Sequence, residues 1–368
     1  MAPNPLTELE ALGQSLWYDF ITRDLLTSGA LARLIETDGL RGMTSNPTIF
    51  QKAIAGSTDY DDDIRALAAD GKSAPEIVEA LSVADVRAAC DAFRATYEET
   101  DGLDGLVSLE VSPELAHDTD DTVLEAERLW RSVDRPNLMI KIPGTRDGLP
   151  AVERCLADGL NVNITLLFDV DRYGEVINAY LSGLETRVRN GLPVDRIASV
   201  ASFFVSRMDT KIDPVLVQLN APEELRSKAA IANAATAYDL FERSIHSHRW
   251  ERLAEQGAKV QRPLWASTST KNPELPDAYY VEALIAPKTV NTLPPATFDA
   301  YRDHGRPEIR IHETMAAAAS QLAALTDVGI DLKTVTAELE TEGVASFAES
   351  YRSLVAEIES KIGQLAGT

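Results

Sequence analysis

Breaker-bounded apolar segments alternate with amphipathic segments along this sequence, and the alternation predicts an α/β fold: a closed (β/α)8 TIM barrel with additional helices. Eight candidate strands are separated mostly by segments with helical spacing of their apolar residues. No internal repeat or linker composition divides the 368 residues, so we expect a single barrel domain over 1–368. An open doubly wound sheet is the alternative, but no Gly-x-Gly-x-x-Gly motif marks a dinucleotide-binding crossover.

The candidate strands are short apolar runs that end in a turn or a polar residue. They cover residues 15–21, 40–47, 105–111, 137–142, 161–168, 197–205, 260–266 and 280–285. The last run stops before Pro287, because Thr-Val-Asn at 289–291 has the composition of a turn. Charged helical sequence from about 57 to 100 predicts a helical insertion, and helical sequence past Pro295 predicts C-terminal helices over about 296–365.

The composition limits the classes of partner. A net charge of −23 argues against nucleic acid and anionic membrane surfaces, and it requires any phosphate site to concentrate basic side chains locally. Cys90 and Cys155 are too few and too far apart for a disulfide framework or a zinc site. No apolar run approaches the roughly 20 residues of a membrane helix, and residues 1–10 lack a signal-peptide pattern, so we expect a cytoplasmic protein.

One candidate strand carries a single lysine among large aliphatic residues. Lys141 stands between Ile140 and Ile142, and a Pro-Gly pair follows at 143–144. An ammonium in such surroundings meets a large desolvation cost, which favours the neutral amine, and a neutral amine is a nucleophile toward carbonyl groups. The structural alternative is a lysine at a strand end whose side chain extends to solvent.

Other candidate strands also carry a lone polar residue near the carboxyl end, where chemistry gathers in an eight-stranded barrel. Together these residues are Asp19, Asn46, Glu110, Lys141, Asn163, Thr165, Ser202 and Arg207. Some have structural alternatives: Asp19 and Asn46 could cap helices, and Thr165 could be an ordinary β-branched strand residue. Their recurrence on successive strands favours a shared site, since buried polar groups cost free energy unless they are paired.

Seven short motifs resemble those of transaldolases in order and approximate spacing, over about residues 15–295. They are Trp17-Tyr18-Asp19, Thr44-Ser45-Asn46-Pro47, Ser108-Leu109-Glu110-Val111, Met139-Ile140-Lys141-Ile142-Pro143, Asn163-Ile164-Thr165-Leu166-Leu167-Phe168, Ala201-Ser202-Phe203-Phe204-Val205-Ser206-Arg207, and Ala266-Ser267 with Lys271-Asn272-Pro273. The length and the C-terminal helices resemble the longer actinobacterial-type members. The resemblance implies a metal-free class I aldol mechanism with no cofactor.

The resemblance further implies a Schiff base between Lys141 and the C2 carbonyl of fructose 6-phosphate or sedoheptulose 7-phosphate, in the pentose phosphate pathway. Glu110, acting through a water held by Thr165, would move the protons needed for loss of water. Asp19 would take the C4 hydroxyl proton as the C3–C4 bond breaks. The retained dihydroxyacetone unit would attack an aldose phosphate, erythrose 4-phosphate or glyceraldehyde 3-phosphate. Because the two carboxyl groups have separate tasks, we expect environments that push their pKa values apart.

Seven substrate-binding residues are also implied by the resemblance: Asn46, Asn163, Ser202, Phe204, Arg207, Ser267 and Lys271. The two asparagines would hold hydroxyl groups of the sugar, because an amide both donates and accepts hydrogen bonds. Arg207 would offer a forked set of donors to the phosphate. An arginine found soon after Ser267 in shorter transaldolases is missing here, and Lys271, slightly further on, would act as a point charge instead.

Three other functions are open to the sequence. A fructose-6-phosphate aldolase-like enzyme would release free dihydroxyacetone, although such enzymes resemble a shorter chain. A non-catalytic sugar-phosphate-binding barrel would form no imine. A metal-dependent aldolase is disfavoured because His246 and His248 point to different faces of a helix, and the other histidines lack metal-ligand spacing. A monomer and a homodimer are both compatible with the sequence.

Overall fold

The computed structural model describes residues 4–365, and its centre is a closed barrel of parallel strands in sequential order. The strands are β1 Gln14–Asp19, β2 Gly42–Thr44, β3 Leu106–Glu110, β4 Leu138–Pro143, β5 Val162–Leu167, β6 Ser199–Phe204, β7 Arg262–Ala266 and β8 Thr289–Leu293. Strand β1 pairs with both β2 and β8, which closes the barrel. The predicted (β/α)8 fold is therefore confirmed, and the open doubly wound sheet is excluded.

Helices occupy most of the remaining chain. They are α1 Pro5–Ala11, α2 Arg23–Thr27, α3 Ala30–Asp38, α4 Pro47–Ala55, α5 Asp61–Ala69, α6 Ala74–Ala92, α7 Arg94–Glu99, α8 Thr119–Val133, α9 Gly148–Asp158, α10 Val170–Arg189, α11 Ser206–Gln218, α12 Ala229–Ser244, α13 His248–Ala254, α14 Tyr279–Ala283, α15 Pro295–His304, α16 Ile311–Asp327 and α17 Leu332–Leu365. Within residues 4–365, no helix combines the length and the hydropathy that a membrane crossing requires.

The predicted position of the last strand is wrong. Residues 279–283 form helix α14, and the strand lies at Thr289–Leu293, where a turn was expected. The segment has a polar composition, but its polar side chains are buried and hydrogen-bonded: the Thr289 hydroxyl donates to the Ala286 carbonyl at 2.6 Å, and the Asn291 amide oxygen accepts from Thr268 at 3.0 Å. Because most of these polar groups have partners, with Asn291 Nδ2 an exception among the described residues, the segment can lie inside the barrel wall.

The long helix α17 crosses the carboxyl ends of the strands, which form the mouth of the barrel. Near its start, Lys211 on α11 forms an ion pair with Glu342 at 2.6 Å. In the middle of the helix, the Thr48 and Ser350 hydroxyl oxygens are 2.8 Å apart. Near its end, Lys361 pairs with Asp61 on α5 at 2.7 Å. Because α11 follows β6 and α5 lies beyond β2, the helix spans opposite sides of the mouth.

Candidate active site

The mouth of the barrel opens into a cavity of about 1320 Å³ that is continuous with solvent. Nine of the predicted site residues line it: Asp19, Asn46, Lys141, Thr165, Ser202, Phe204, Arg207, Ser267 and Lys271. Glu110 and Asn163 are not part of the lining and lie behind it. The structure therefore brings the sequence-predicted residues to one place, as the convergence of parallel strand ends requires.

Lys141 lies near the centre of this arrangement, with only 4% of its side chain exposed. Its Nζ donates to the Ser45 carbonyl at 3.1 Å and lies 3.2 Å from Glu110 Oε2. The neighbours Ile140 and Ile142 point to the opposite face of the strand, because successive side chains alternate. The amine thus contacts polar groups next to it in the barrel and the Phe347 ring rather than its aliphatic sequence neighbours, which corrects the expected environment.

Strand register explains why Glu110 and Lys141 meet. Glu110 is the register partner of Lys141 on the neighbouring strand, and Lys141 is in turn the partner of Asn163. Residues in register on adjacent parallel strands project to the same side of the sheet, so the ammonium and the carboxyl group face each other inside the barrel.

The Glu110 carboxyl group is buried, and its hydrogen-bonding capacity is only partly used. Burial raises its pKa, the positive charge and hydrogen bond of Lys141 oppose that rise, and the charge of Asp19 adds to it. Among the described residues, neither Glu110 Oε1 nor the buried Thr165 hydroxyl has a hydrogen-bond partner. Buried polar groups without partners are costly, so these two atoms leave hydrogen-bonding capacity that a water or a substrate inside the barrel can use.

Asp19 lies across the cavity at the end of β1. Its Oδ1 accepts a 2.6 Å hydrogen bond from the Thr44 hydroxyl, and Thr44 is also 2.7 Å from the Thr292 hydroxyl. Burial raises the pKa of Asp19, whereas Lys141, the Thr44 hydrogen bond and Arg207 lower it. The pKa of Glu110 is also raised, so the direction of the shift does not separate the roles of the two carboxyl groups.

The two predicted asparagines occupy different positions. The Asn46 Oδ1 atom caps α4 by accepting from the Ile49 amide at 3.0 Å, so its side chain is fixed at the cavity edge by helix capping. Asn163 is fully buried behind the lining; its Nδ2 donates to Ser108 at 2.9 Å and its Oδ1 accepts from Ser202 at 2.7 Å. Asn163 therefore positions Ser202, which does line the cavity.

Three cationic side chains line the outer part of the cavity: Lys52, Arg207 and Lys271. Within residues 4–365, none of them has an acidic partner within ion-pair distance, although the net charge of the chain is −23. The Arg207 guanidinium stacks on the Phe204 ring at 5.0 Å, and burial lowers its pKa while Asp19 raises it. A group of unpaired cations in an acidic chain is an anion-binding surface.

Ser267 stands beside these cations in an unusual backbone conformation. Its φ is +56°, in the left-handed region that few serines adopt. Its carbonyl accepts from the Ser206 amide at 3.0 Å, and the two hydroxyl oxygens are also 3.0 Å apart. The start of α11 holds the strained residue in place through Ser206, and Ser267 lines the same cavity as Arg207.

Several cavity residues were not predicted: Thr44, Lys52, Thr292, Ser346 and Phe347. Thr44 lies inside a motif that the sequence already marked, so its neighbour Asn46 gave a usable signal. Thr292 was missed because β8 was predicted too early in the chain. Lys52, Ser346 and Phe347 belong to helices, and no local pattern links them to the strand ends. Among the described residues, no three His, Cys, Asp or Glu side chains could hold a metal ion together.

Comparison with known proteins agrees with this geometry. Residues 16–358 match the family model described as Transaldolase/Fructose-6-phosphate aldolase. The chain belongs to this family. A transaldolase of Parafrankia sp. is 51% identical over 365 residues, covering 98% of this chain and 99% of the relative. A transaldolase of Frankia alni is 50% identical over 366 residues, covering 98% of each chain, and one of Trichodesmium erythraeum is 46% identical over 377 residues, covering 99% of each.

These matches confirm the predicted resemblance to transaldolases, including the actinobacterial-type members. They also confirm the predicted class of enzyme, a transferase of the transaldolase type. The matched region contains all eight strands except the first two residues of β1, together with most of α17.

Proposed function

We propose that this enzyme transfers a dihydroxyacetone unit from fructose 6-phosphate or sedoheptulose 7-phosphate to erythrose 4-phosphate or glyceraldehyde 3-phosphate, as in the pentose phosphate pathway. The observation that carries the proposal is the buried Lys141 amine, 3.2 Å from Glu110 and in one cavity with Asp19 and unpaired cations. A desolvated amine among groups that can move protons is suited to imine chemistry.

The first step is attack of the neutral Lys141 amine on C2 of the ketose. The carbinolamine that forms must gain a proton on its hydroxyl group and lose water to become an iminium. A Glu110 carboxyl with a raised pKa can supply that proton, and a water bonded to Glu110 Oε1 and the Thr165 hydroxyl can relay it. The hydrogen-bonding capacity left open on both groups supports this role.

The second step is cleavage of the C3–C4 bond. Asp19 takes the proton of the C4 hydroxyl, the electrons of the C3–C4 bond move toward the iminium nitrogen, and the aldose phosphate leaves. The enamine of dihydroxyacetone remains on Lys141. The Thr44 hydrogen bond fixes the Asp19 carboxylate, and its raised pKa makes it a stronger base than a solvated aspartate.

The acceptor then reverses these steps. The enamine carbon attacks the aldehyde of the second aldose phosphate, Asp19 returns the proton to the new C4 oxygen, and water releases the new ketose from Lys141. Asn46 and Ser202 are available for the sugar hydroxyls, and Asn163 contributes by holding Ser202. Arg207, Lys271, Lys52 and Ser267 are the phosphate-binding groups.

Replacing Asp19 by Asn separates the steps. Because an amide cannot accept the C4 proton as a carboxylate does, C–C cleavage should slow by roughly 10²- to 10⁴-fold while imine formation continues. Borohydride reduction of the Asp19→Asn variant with fructose 6-phosphate should trap the whole six-carbon phosphate on the enzyme. Trapping of only the three-carbon unit would remove Asp19 from the cleavage step.

The test of the whole proposal is mass spectrometry after borohydride reduction with fructose 6-phosphate. The wild-type enzyme should gain a reduced dihydroxyacetone unit, peptide mapping should locate it on Lys141, and the Lys141→Ala variant should gain none. Adding erythrose 4-phosphate before the borohydride should remove the adduct and yield sedoheptulose 7-phosphate. Absence of an adduct would leave a sugar-phosphate-binding barrel, and free dihydroxyacetone without any transfer would indicate a fructose-6-phosphate aldolase.

A further inference from the structure

We propose that Phe347, on helix α17, covers the reacting nitrogen of Lys141 and thereby favours transfer of the dihydroxyacetone unit over its release into water. This inference rests on the proposed function. It assigns to the C-terminal helix a specificity role in the reaction itself: Phe347 is the residue that makes the enzyme a transferase rather than an aldolase.

The position of Phe347 is the first observation. Its side chain is only 3% exposed, it lines the cavity, and its ring centroid lies 5.7 Å from Lys141 Nζ. The other close contacts of the amine, the Ser45 carbonyl and Glu110, are polar and belong to the barrel. Phe347 is therefore an apolar cover that a separate element brings to the amine.

The second observation is how tightly α17 is seated at this point. Gly343, one turn before Phe347, lies so close to the end of β5 that an added Cβ would come within 2.9 Å of Leu166 Cδ2. The helix is also tied down on both sides of the mouth by the Lys211–Glu342 and Lys361–Asp61 ion pairs. Phe347 is thus held in place between these anchors.

The chemistry explains why a cover matters at one stage. The three-carbon enamine on Lys141 can attack an acceptor aldehyde, or its terminal carbon can take a proton from solvent. Protonation gives an iminium, water adds at C2, the C–N bond breaks, and the products are the free amine and dihydroxyacetone. The proton taken up at carbon is returned to solvent when the free amine forms, so the net balance is one water consumed, with no change of oxidation state.

Release of the ketose formed by transfer does not require protonation of the enamine carbon. After attack on the acceptor, the new ketose is already an iminium and needs only one water, which the Glu110 and Thr165 side can supply. A cover that keeps additional solvent from the enamine therefore slows release of dihydroxyacetone without slowing release of the ketose. The enamine carbon is two bonds from the nitrogen that Phe347 faces, so a cover at the nitrogen also limits solvent at that carbon.

The test compares Phe347→Ala, Phe347→Leu and a matched control, Leu339→Ala. Leu339 lies on the same helix and is equally buried, but it does not line the cavity. For each variant, dihydroxyacetone release from fructose 6-phosphate is measured without acceptor, and transfer is measured with erythrose 4-phosphate. Both rates are measured on the same preparation, so the fraction of folded protein cancels in the ratio of release to transfer.

We expect the release-to-transfer ratio to rise several-fold in Phe347→Ala and to remain near the wild-type value in Phe347→Leu, which keeps an apolar cover, and in Leu339→Ala. An unchanged ratio in Phe347→Ala would overturn the inference while wild-type transfer upheld the proposed function. A release-to-transfer ratio in Phe347→Leu as high as that in Phe347→Ala would also overturn the covering role. A wild-type enzyme that forms no adduct would overturn the proposed function and this inference together. If Phe347→Ala fails to fold, Phe347→Thr carries the same test, because its short polar side chain provides no apolar cover.

Discussion

Each end of the barrel contains a buried ion pair, but the two pairs differ in how completely they are hydrogen-bonded. At the amino ends of the strands, Arg262 donates to Ser15 and to Asp104 at 2.6 and 2.9 Å, and Asp104 accepts from Ser15 and Trp17 at 2.7 and 3.3 Å. At the carboxyl ends, Lys141 pairs with Glu110, whose Oε1 has no partner among the described residues.

The difference indicates what each pair does. A buried pair with every hydrogen bond made contributes to a defined fold, and it costs a great deal only when one partner is removed. A buried pair with unused hydrogen-bonding capacity is maintained by the surrounding structure for another purpose. We therefore expect substitutions at the carboxyl ends of the strands to change the reaction rate, and substitutions at the amino ends to change the free energy of unfolding.

The largest effect should come from Lys141→Ala. Within residues 4–365, no other amine forms an ion pair with Glu110, so transfer of dihydroxyacetone should fall to the background rate while the circular dichroism spectrum keeps its folded form. Steady-state kinetics with fructose 6-phosphate and erythrose 4-phosphate measure the loss. Substantial residual turnover would mean that another group forms the bond to the substrate, and the contrast between the two ends would fail.

Arg262→Ala should produce the opposite pattern. The change leaves Asp104 buried without its cation, which should lower the free energy of unfolding by roughly 3–5 kcal/mol, whereas folded protein should keep its activity. Denaturant titration measures the loss. Arg154→Ala is the matched control, because its partner Asp120 is 83% exposed and such a pair contributes at most about 1 kcal/mol. Equal losses of unfolding free energy in the two variants would contradict a structural role for the ion pair at the amino ends of the strands.

Arg207→Ala should weaken binding of the phosphate specifically. Loss of a hydrogen bond to a charged group should raise KM for fructose 6-phosphate roughly 10- to 100-fold. The unphosphorylated sugar, fructose, should be affected much less, because it has no phosphate for Arg207 to bind. Comparing KM for the two sugars in both proteins checks this. A similar rise for both would indicate that Arg207 supports the cavity through its stacking on Phe204 rather than by binding phosphate.

The barrel and most of its mouth were predictable because the necessary information is local. Asn46 before Pro47 marks a helix start, and Glu110 and Lys141 each end or interrupt an apolar run that has the length of a strand. Once the strands are in order, parallel geometry brings their carboxyl ends together without any further knowledge of contacts.

The features that the sequence did not predict depend on contacts between segments that are distant along the chain. The buried hydrogen bonds that let β8 carry polar residues involve Gln14 and Thr268, and neither is near Thr289 in sequence. Phe347 reaches the amine only because α17 docks across the barrel. The surroundings of Lys141 were misjudged for a related reason, since its neighbours along the strand face away from it.

The smallest expected effect is on the free energy of unfolding, and it tests whether the ionised Asp19 side chain destabilises the fold. Burial raises the pKa of Asp19 above the ordinary value of 3.8, so the folded state disfavours its ionised form, and ionisation destabilises the fold. Asp19→Asn removes that ionisation and should raise the free energy of unfolding at neutral pH. The gain should be absent well below pH 3.8, where the wild-type side chain is protonated in both states, and should grow as pH rises toward the raised pKa.

Denaturant titrations of both proteins from acid to neutral pH measure this difference, and a control is available in Asp120→Asn. The Asp120 side chain is 83% exposed, so its substitution removes one negative charge from the surface without changing a buried site. A stability gain in Asp19→Asn that did not depend on pH would arise from packing or hydrogen bonding. A loss at neutral pH would mean that attraction to Lys141 and Arg207 outweighs desolvation. Only a pH-dependent gain in stability would indicate that the Asp19 carboxylate is retained for its basicity although its ionisation destabilises the fold.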